Sequence, residues 1–198
     1  MQPAQDLTNT LGTIVRLTPD GGAAPDNPYA ARGGVSAQIW SHGHRNPLGI
    51  AFDAQGRLWA DEMGPRGGDE VNLIERGANY GWPLFEGPTV DPPWASPVYA
   101  YGHGSGALLG CAISGGAFYD PPAPVFPASY AGSYFFADFC GDWINRLDPA
   151  SNAVESFATG IDRPVDLRVG PDGALYYLAR GNAAGAGVVG RIGPAAGP

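Results

Sequence analysis

A loop that is poor in side chains and rich in bare backbone carbonyls follows an alternation of apolar and polar residues. It runs through Met63-Gly64-Pro65 and further glycines to the acidic pair Asp69-Glu70. Glycine allows close approach to the backbone, and proline fixes a turn while keeping its carbonyl acceptor. Calcium takes about six to eight oxygen ligands, backbone carbonyls included. The loop is therefore either a calcium-binding segment or a plain turn between two strands.

Five ionisable side chains near this loop or further along the chain are weaker candidates. Adjacent residues on a strand point to opposite faces, so Asp69 and Glu70 do not form a catalytic dyad by themselves. They are either a salt bridge or cap within a sheet, or ligands of a second, structural calcium. His42 and His44 share one face in an H-x-H pattern that suits a metal but lacks a nearby third ligand. Loop or hydrogen-bonding roles are favoured for both, and for His103 in a glycine-rich segment.

The composition predicts one folded domain of short strands. The chain has 198 residues, with 31 Gly and 20 Pro to make turns, and 44% hydrophobic residues to build a core. The net charge of −8 disfavours nucleic acid and anionic membranes as partners. No apolar run approaches the roughly 20 residues that span a bilayer. The N-terminal sequence lacks the layout of a signal peptide.

The two cysteines, Cys111 and Cys140, bound two runs that read as a hairpin. A register in which Gly115 opposes Phe136 and Ala117 opposes Tyr134 sets both cysteines side by side, within disulfide reach. This predicts a bridge, with two buried free thiols as the alternative. A bridge would imply an oxidising compartment.

The chain repeats itself. The segment from Asn46 aligns with the segment from Arg163, and each reads as strand, tight turn with Gly56 or Gly173, and strand. A second element occurs three times, as GTIVRLTP from Gly12, DWINRLDP and GVVGRIGP. Each copy reads as a strand with one buried face that ends before a proline. A long Pro- and Gly-rich insertion after the first repeat reads as an ordered surface loop.

Strand units of this length predict an all-β fold, a β-propeller, with a β-sandwich as the alternative. We assign an outer strand of a preceding blade to residues 12–18 and blade units to residues 46–110, 111–159 and 160–193. Three units do not close a ring. The chain is therefore expected to be part of a propeller completed by a missing N-terminal half or by a second copy.

Five segments together resemble the glucose/sorbosone dehydrogenase family, which includes soluble PQQ-dependent glucose dehydrogenases and aldose sugar dehydrogenases. They are GHRNPLGIAFDAQGRLW, MGPRGGDEVNLIERGANYGWP, CAISGGAFYDPP, YFFADFCGDWINRLDP and PVDLRVGPDGALYYLARG. The resemblance implies about three blades of a six-bladed propeller. It also implies oxidation of the C1 hydroxyl of an aldose by PQQ, with calcium, in an exported protein. The periplasm or the extracellular space is the expected location.

The resemblance assigns site residues position by position. The HRN segment implies that Arg45 and Asn46 contact the cofactor, and the last unit adds Arg163. PQQ carries carboxylates and quinone oxygens, which cationic and amide donors suit. The Met63-Gly64-Pro65 segment matches one whose glycine and proline carbonyls bind calcium, so Gly64 and Pro65 are the expected metal ligands.

Three departures from the family pattern bear on activity. Cys140 stands where a cofactor-binding lysine is expected, and Val165 stands where a second arginine is expected. The family's general base, a histidine, is expected upstream of this chain, so no catalytic residue is assigned and the chain alone is expected to be inactive.

Two competing hypotheses remain. One is a non-catalytic propeller that binds carbohydrate or protein, with Trp82, Trp94, Tyr99 and Tyr101 available for stacking on sugar rings. The other is a calcium-dependent hydrolase, for which few ligands converge.

Overall fold

The computed structural model describes residues 2–65, 68–91 and 93–194, in which short β-strands dominate. The strands are β1 (Thr13–Val15), β2 (Ile39–His42), β3 (Pro47–Phe52), β4 (Leu58–Glu62), β5 (Asp69–Ile74), β6 (Tyr99–Tyr101), β7 (Ile113–Phe118), β8 (Tyr134–Asp138), β9 (Trp143–Asp148), β10 (Ala153–Thr159), β11 (Pro164–Val169), β12 (Leu175–Ala179) and β13 (Val188–Ile192). Short 3-10 helices span Pro3–Gln5, Ala30–Arg32, Gly34–Gln38 and Ala128–Tyr130.

The strands form four antiparallel sheets in chain order. The first sheet is β3-β4-β5-β6, the second is β7-β8-β9-β10 and the third is β11-β12-β13, while β1 and β2 form a two-stranded ribbon. The three sheets lie within the three predicted unit ranges. The predicted outer strand at residues 12–18 is shorter and is paired, because β1 lies against β2.

The first strands of the three sheets lie side by side. A Cβ built on Gly49 would lie 3.4 Å from the Cα of Gly115, and one built on Gly115 would lie 3.5 Å from the Cα of Asp166. Each of these residues is the third residue of its strand. Strands β3, β7 and β11 therefore begin at the same end of the molecule, as the inner strands of propeller blades do. We call this end the rim.

The internal repeat is confirmed at the level of single residues. β3 and β4 have the same lengths and spacing as β11 and β12, and the turns between them contain Gly56 and Gly173 with φ of 75° and 74°. Only glycine adopts such values without strain. Both hairpins also carry a register shift after their first residue, at Pro47 and at Pro164.

The predicted pairing of β7 with β8 is wrong by one residue over most of its length. Ile113 opposes Asp138 as the hairpin register requires, but the register then shifts, so Gly115 opposes Ala137 and Ala117 opposes Phe135. The shift occurs at Ser114, which inserts an extra residue into β7. Since it lies beyond the cysteines, the predicted disulfide is still present between Cys111 and Cys140, with a Cα–Cα distance of 5.5 Å.

The core fills the spaces between neighbouring sheets. Aromatic side chains such as Trp59, Tyr134 and Phe136 pack between the first and second sheets, while Phe135, Leu167 and Leu175 pack between the second and third. These side chains bury large apolar areas and hold adjacent sheets together.

Part of the predicted surface insertion is strand rather than loop. β6 pairs with β5 and completes the first sheet as its fourth strand. Tyr101, on β6, is only 5% exposed and donates its hydroxyl to Asp69 and Asp138, so it cannot stack on a sugar. Among the described residues, no helix is long and apolar enough to cross a membrane.

Candidate functional site

Three residues occupy equivalent places at the rim, directly before the inner strands. The Met63 N–H donates to the Asn46 carbonyl at 3.1 Å, the Phe139 N–H to the Ala112 carbonyl at 2.8 Å, and the Arg180 N–H to the Arg163 carbonyl at 2.9 Å. We call Asn46, Ala112 and Arg163 the lead-in residues. The structure therefore places Asn46 and Arg163, two sequence-predicted site residues, at the same end of the first and third sheets, which flank the second.

Arg45 and Arg163 form no ion pair with any carboxylate in the described part of the chain. The Arg45 Nη1 donates to the Met63 carbonyl at 2.9 Å, and its guanidinium lies 6.0 Å from the Trp82 ring centroid. The Arg163 guanidinium lies 5.8 Å from the ring of Phe139. Two cationic groups without acidic partners at one rim of a chain with net charge −8 favour an anionic ligand.

The backbone of Arg163 is in the left-handed region, with φ of 56°. Its N–H donates to Asp142 Oδ1 at 2.9 Å, which holds the residue in that conformation. A non-glycine residue there costs about 1–2 kcal/mol, and such costs are concentrated at functional sites. A polar cavity of about 380 Å³ adjoins Arg163 and is lined also by Phe139, Cys140, Asn182 and two acids, Asp142 and Asp162.

Gly64 and Pro65 line a cavity of about 10 Å³, the size of one water molecule or ion. Three acids, Glu62, Glu70 and Glu86, line the same cavity, together with Arg45. A side chain at position 64 would not fit, because its Cβ would overlap the backbone carbonyl oxygen of Gly68 and would lie 2.6 Å from Glu86 Oε1. Carbonyls and carboxylates are the hard oxygen donors that calcium prefers, so the residues present fit the metal that the sequence predicts.

Burial raises the pKa of Glu70, and repulsion from Glu62 and Glu86 adds to this, while the Asn72 amide opposes it. A cation in the cavity would offset that repulsion. Asn72 Nδ2 donates to Glu70 Oε2 at 3.1 Å and to Glu62 Oε2 at 3.4 Å. The Asn72 Oδ1 atom is buried and has no hydrogen-bond partner among the described residues.

Asp69 does not line this cavity, but it holds the loop through the backbone of Gly64. Its fully buried carboxylate accepts the Gly64 N–H at 3.0 Å, the Ile113 N–H at 2.7 Å and a hydrogen bond from Tyr101. It also pairs with His103 Nε2 at 3.2 Å. The adjacent acids thus have separate roles, as their strand geometry predicts. Arg66 and Gly67, in the same predicted loop, lie outside the described residues.

The H-x-H pair does not act as one unit. His44 is fully buried, and its Nδ1 lies 2.8 Å from Glu62 Oε2 and its Nε2 2.9 Å from Ser41 Oγ. His42 lies apart, with its Nδ1 3.4 Å from the Tyr29 hydroxyl. The triad-like chain of Ser41, His44 and Glu62 is not a nucleophilic centre, because Ser41 is 0% exposed.

Glu62 is the rim residue that sequence reasoning missed. Its Oε1 accepts the backbone N–H of Arg45, so its buried carboxylate contacts the predicted cofactor-binding segment directly. A signal was available in the sequence, because WADE and FFAD each end a second strand with an acid. In the structure, Glu62 and Asp138 both pair with the first residue of the inner strand.

The two departure positions are also at or near the rim. Cys140 is bridged to Cys111, so it supplies no cation. Val165 lies on β11, two residues after Arg163, and is partly exposed. Neither position therefore adds a cation beside Arg163.

Comparisons with known proteins agree with this geometry. A sequence profile of the family described as Glucose / Sorbosone dehydrogenase matches residues 1–187. The chain is 36% identical over 192 residues to the aldose sugar dehydrogenase of Escherichia coli (strain K12), an alignment that covers 88% of this chain and 50% of that protein. The chain thus spans about half the length of the curated relatives it matches.

Solved structures match the fold. A glucose dehydrogenase-type oxidoreductase from Thermus thermophilus superposes with a TM-score of 0.79 at 35% identity, covering 96% of this chain and 58% of that one. The PQQ-bound form of the aldose sugar dehydrogenase from Streptomyces coelicolor superposes with a TM-score of 0.76 at 30% identity, covering 94% and 53%. The sheets described above are therefore blades of a β-propeller.

Proposed function

This chain belongs to the glucose/sorbosone dehydrogenase family, and we propose that it forms part of a PQQ-dependent oxidoreductase that oxidises the C1 hydroxyl of aldose sugars. The observation that carries the proposal is the pair of guanidinium groups at the rim, Arg45 and Arg163, which have no carboxylate partner among the described residues. PQQ has several carboxylates, and an acidic protein without such cations would repel it.

Arg45, Asn46 and Arg163 would hold the cofactor. The guanidinium groups bind carboxylates, and the Asn46 side chain donates and accepts hydrogen bonds at the adjoining position. When bound, PQQ supplies the acceptor for the hydride that leaves the sugar carbon. The chain's own residues orient the cofactor and keep its charges paired.

Gly64 and Pro65 would bind calcium through their carbonyl oxygens. The neighbouring carboxylates Glu62, Glu70 and Glu86 make the cavity acidic, which favours a divalent cation. Asp69 holds the Gly64 N–H, so the loop keeps its carbonyls in place without using that carboxylate as a ligand.

The catalytic base would come from outside this chain. A base must reach the sugar hydroxyl, but His44 is fully buried and His103 pairs with the buried Asp69. His42 contacts Tyr29 rather than the cavity beside Arg45. We therefore expect the chain alone to bind cofactor without turning over sugar.

The partner that completes the site would be a polypeptide that supplies the remaining blades. On β3, Leu48, Ile50 and Phe52 are exposed on the side away from the second sheet, and the third sheet has three strands with Val189 exposed. Open apolar faces and unpaired edges of this kind call for a covering element.

A second copy fits these surfaces poorly. The sequence repeat aligns β1 with the third strands β9 and β13, so the β1–β2 ribbon occupies the outer half of a blade position. That ribbon already packs on the first sheet, with Ile14 and Trp40 beside Ala60. The third sheet of a second copy would collide with it, so we favour a segment equivalent to the N-terminal half of the fold.

An oxidising compartment suits the chain, because Cys111 and Cys140 are disulfide-bonded. We therefore propose a periplasmic or extracellular location.

The test is reconstitution with PQQ and calcium. The purified chain should bind PQQ in a calcium-dependent manner, followed by fluorescence quenching, without reducing dye in the presence of glucose. Arg163→Ala should weaken binding at least tenfold, while Arg57→Ala, whose partner Asp53 lies in a turn outside the site, should not. Adding a separately produced N-terminal half of a relative should restore dye reduction.

Other outcomes would contradict the proposal. Turnover by the chain alone would show that a base is present within it. Absence of PQQ binding together with affinity for sugars would favour a non-catalytic propeller that binds carbohydrate, for which the bridged Cys140 and the neutral Val165 are the motivating features.

A further inference from the structure

Glu62 is a buried carboxylate that lines the small acidic cavity and also contacts the Arg45 segment. It is the last residue of β4 and is 5% exposed. We infer that Glu62 is a positioning residue that, anchored by His44, fixes the Arg45–Asn46 segment in the conformation that presents its donors to the anionic cofactor. The effect on cofactor binding rests on the proposed function, but the restraint of the Arg45–Asn46 segment by Glu62 does not.

Both oxygens of the carboxylate are committed to this segment or its anchor. Oε1 accepts the backbone N–H of Arg45. Oε2 lies 2.8 Å from His44 Nδ1 and 3.4 Å from the amide nitrogen of Asn72. Because this buried side chain contacts both the Arg45 N–H and an anchored histidine, it restrains the backbone at residue 45.

His44 is itself immobilised. Its Nε2 lies 2.9 Å from Ser41 Oγ, and its ring stacks on Tyr80 with centroids 4.4 Å apart. The His44 N–H donates to the Gly12 carbonyl at 3.0 Å. The position of Glu62 is therefore fixed by the fold of the β1–β2 ribbon as well as by its own sheet.

The side chain of Arg45 is restrained as well. Its Nη1 donates to the Met63 carbonyl, while the Met63 N–H donates to the Asn46 carbonyl. The segment is thus tied to β4 on both sides of the Arg45 Cα. A fixed arginine pays less conformational entropy on binding an anion than a free one.

Carboxylates also hold the backbone at the other two lead-in segments, although the third is held from the neighbouring sheet, by the residue that precedes β9. Asp138 accepts the N–H groups of Cys111 and Ala112, and Asp142 accepts the N–H of Arg163. In every described blade, a carboxylate holds the backbone where the inner strand begins. Glu62 alone among the three is held by a histidine.

The first experiment needs no ligand. Amide hydrogen exchange at Arg45 should be slow in the native chain and about tenfold faster in Glu62→Gln, because an amide nitrogen, which cannot accept, replaces one of the two oxygens that contact Arg45, His44 and Asn72. Asp61→Asn is the matched control: it is the same kind of change, one residue away and fully buried, but its carboxylate contacts Tyr134 and not the rim. Measured near pH 4, where ionisation of Asp61 does not yet lower stability, exchange at Arg45 should be unchanged in Asp61→Asn. Fast exchange at Arg45 in the native chain, or equal effects of the two substitutions, would overturn the inference.

The second experiment tests the consequence for binding. Glu62→Gln should weaken PQQ about tenfold in the native background and have little effect when Arg45 and Asn46 are both alanine. A loss of the same factor in both backgrounds would mean that Glu62 acts only through overall stability, and would overturn the positioning role. If no variant binds PQQ, the proposed function fails, while the exchange result still decides whether Glu62 fixes the segment.

Discussion

The rims of the first and second sheets share one backbone and differ in what they carry. Arg45 and Gly64 in the first sheet occupy the places of Cys111 and Cys140 in the second, as the equivalent hydrogen bonds from Met63 and Phe139 define. In the first sheet the gap between the two places is spanned by the Arg45 side chain reaching the Met63 carbonyl. In the second it is closed by a disulfide.

This difference separates two uses of the same position. The second rim is fully satisfied, because Asp138 accepts N–H groups on both sides of a covalent link. The first keeps a cation, an amide and exposed carbonyls, together with a small acidic cavity. The second rim therefore serves stability, whereas the first retains the groups that we propose bind a ligand, and local rules of stability are expected to be relaxed at such sites.

The largest expected effect concerns Asp61, whose equivalent in the second sheet is Ala137. Burial raises the pKa of Asp61 from 3.8 to about 7, and the hydrogen bond from Tyr134 opposes this only in part. The folded state then binds the proton more tightly than the unfolded state. The contribution of protonated Asp61 to the free energy of unfolding is therefore complete below about pH 4 and falls as the pH rises towards 7. The loss is roughly 4 kcal/mol at pH 8.

Asp61→Asn should remove this dependence, because an amide does not titrate there. Urea unfolding at pH 4, 6 and 8 measures this dependence. The free energy of unfolding of the variant, relative to that of the native chain, should increase from pH 4 to pH 8. A constant difference between the two proteins across this range would show that Asp61 is ionised in the folded state.

The second expected effect concerns the disulfide. Replacing Cys111 and Cys140 by serine removes a link between positions 29 residues apart and should lower the free energy of unfolding by about 3 kcal/mol. Arg45→Ala, at the equivalent place in the first sheet, should cost less than about 0.5 kcal/mol, as exposed side chains do. Equal losses in urea unfolding would erase the proposed division between the two rims.

The sequence predicts the hairpins of this fold well and their irregularities poorly. The alternation and the turn glycines predict β3–β4 and β11–β12, because both signals are local. The extra residue at Ser114 was not predictable from alternation, since it depends on packing against β11, where the Ser114 hydroxyl donates to the Pro164 carbonyl at 2.6 Å. β6 was missed because three residues in a Pro-rich segment carry no period.

The site was predictable only where the resemblance names residues. Arg45, Asn46 and Arg163 come from motifs, and the structure sets them at one rim. Glu62 acts through its backbone partner and through a buried histidine, and neither contact leaves a pattern within a single strand. Comparing repeats by structure reveals it, because Glu62 and Asp138 occupy the same position.

The third expected effect compares those two acids. Asp138→Asn should cost about 2 kcal/mol more than Glu62→Gln, because the Asp138 carboxylate accepts four backbone N–H groups and a tyrosine hydroxyl, while Glu62 accepts one backbone N–H and contacts the side chains of His44 and Asn72. Thermal and urea unfolding of both variants at one pH measure the difference. A larger loss for Glu62→Gln would mean that the first rim, not the second, carries the greater structural burden.

The smallest expected effect separates stability from binding at the third lead-in residue. Arg163 has φ of 56°, whereas Asn46 and Ala112 do not share that strain. Arg163→Gly should therefore stabilise the chain by about 0.5 kcal/mol, the relief of strain less the entropy that glycine adds to the unfolded state, while Arg163→Ala keeps the strain. Both variants lose the guanidinium, so both should weaken PQQ equally. If Arg163→Gly were no more stable than Arg163→Ala, the hydrogen bond to Asp142 would be compensating the strain fully. If only one of the two variants lost affinity for PQQ, the backbone conformation rather than the charge at this position would determine binding.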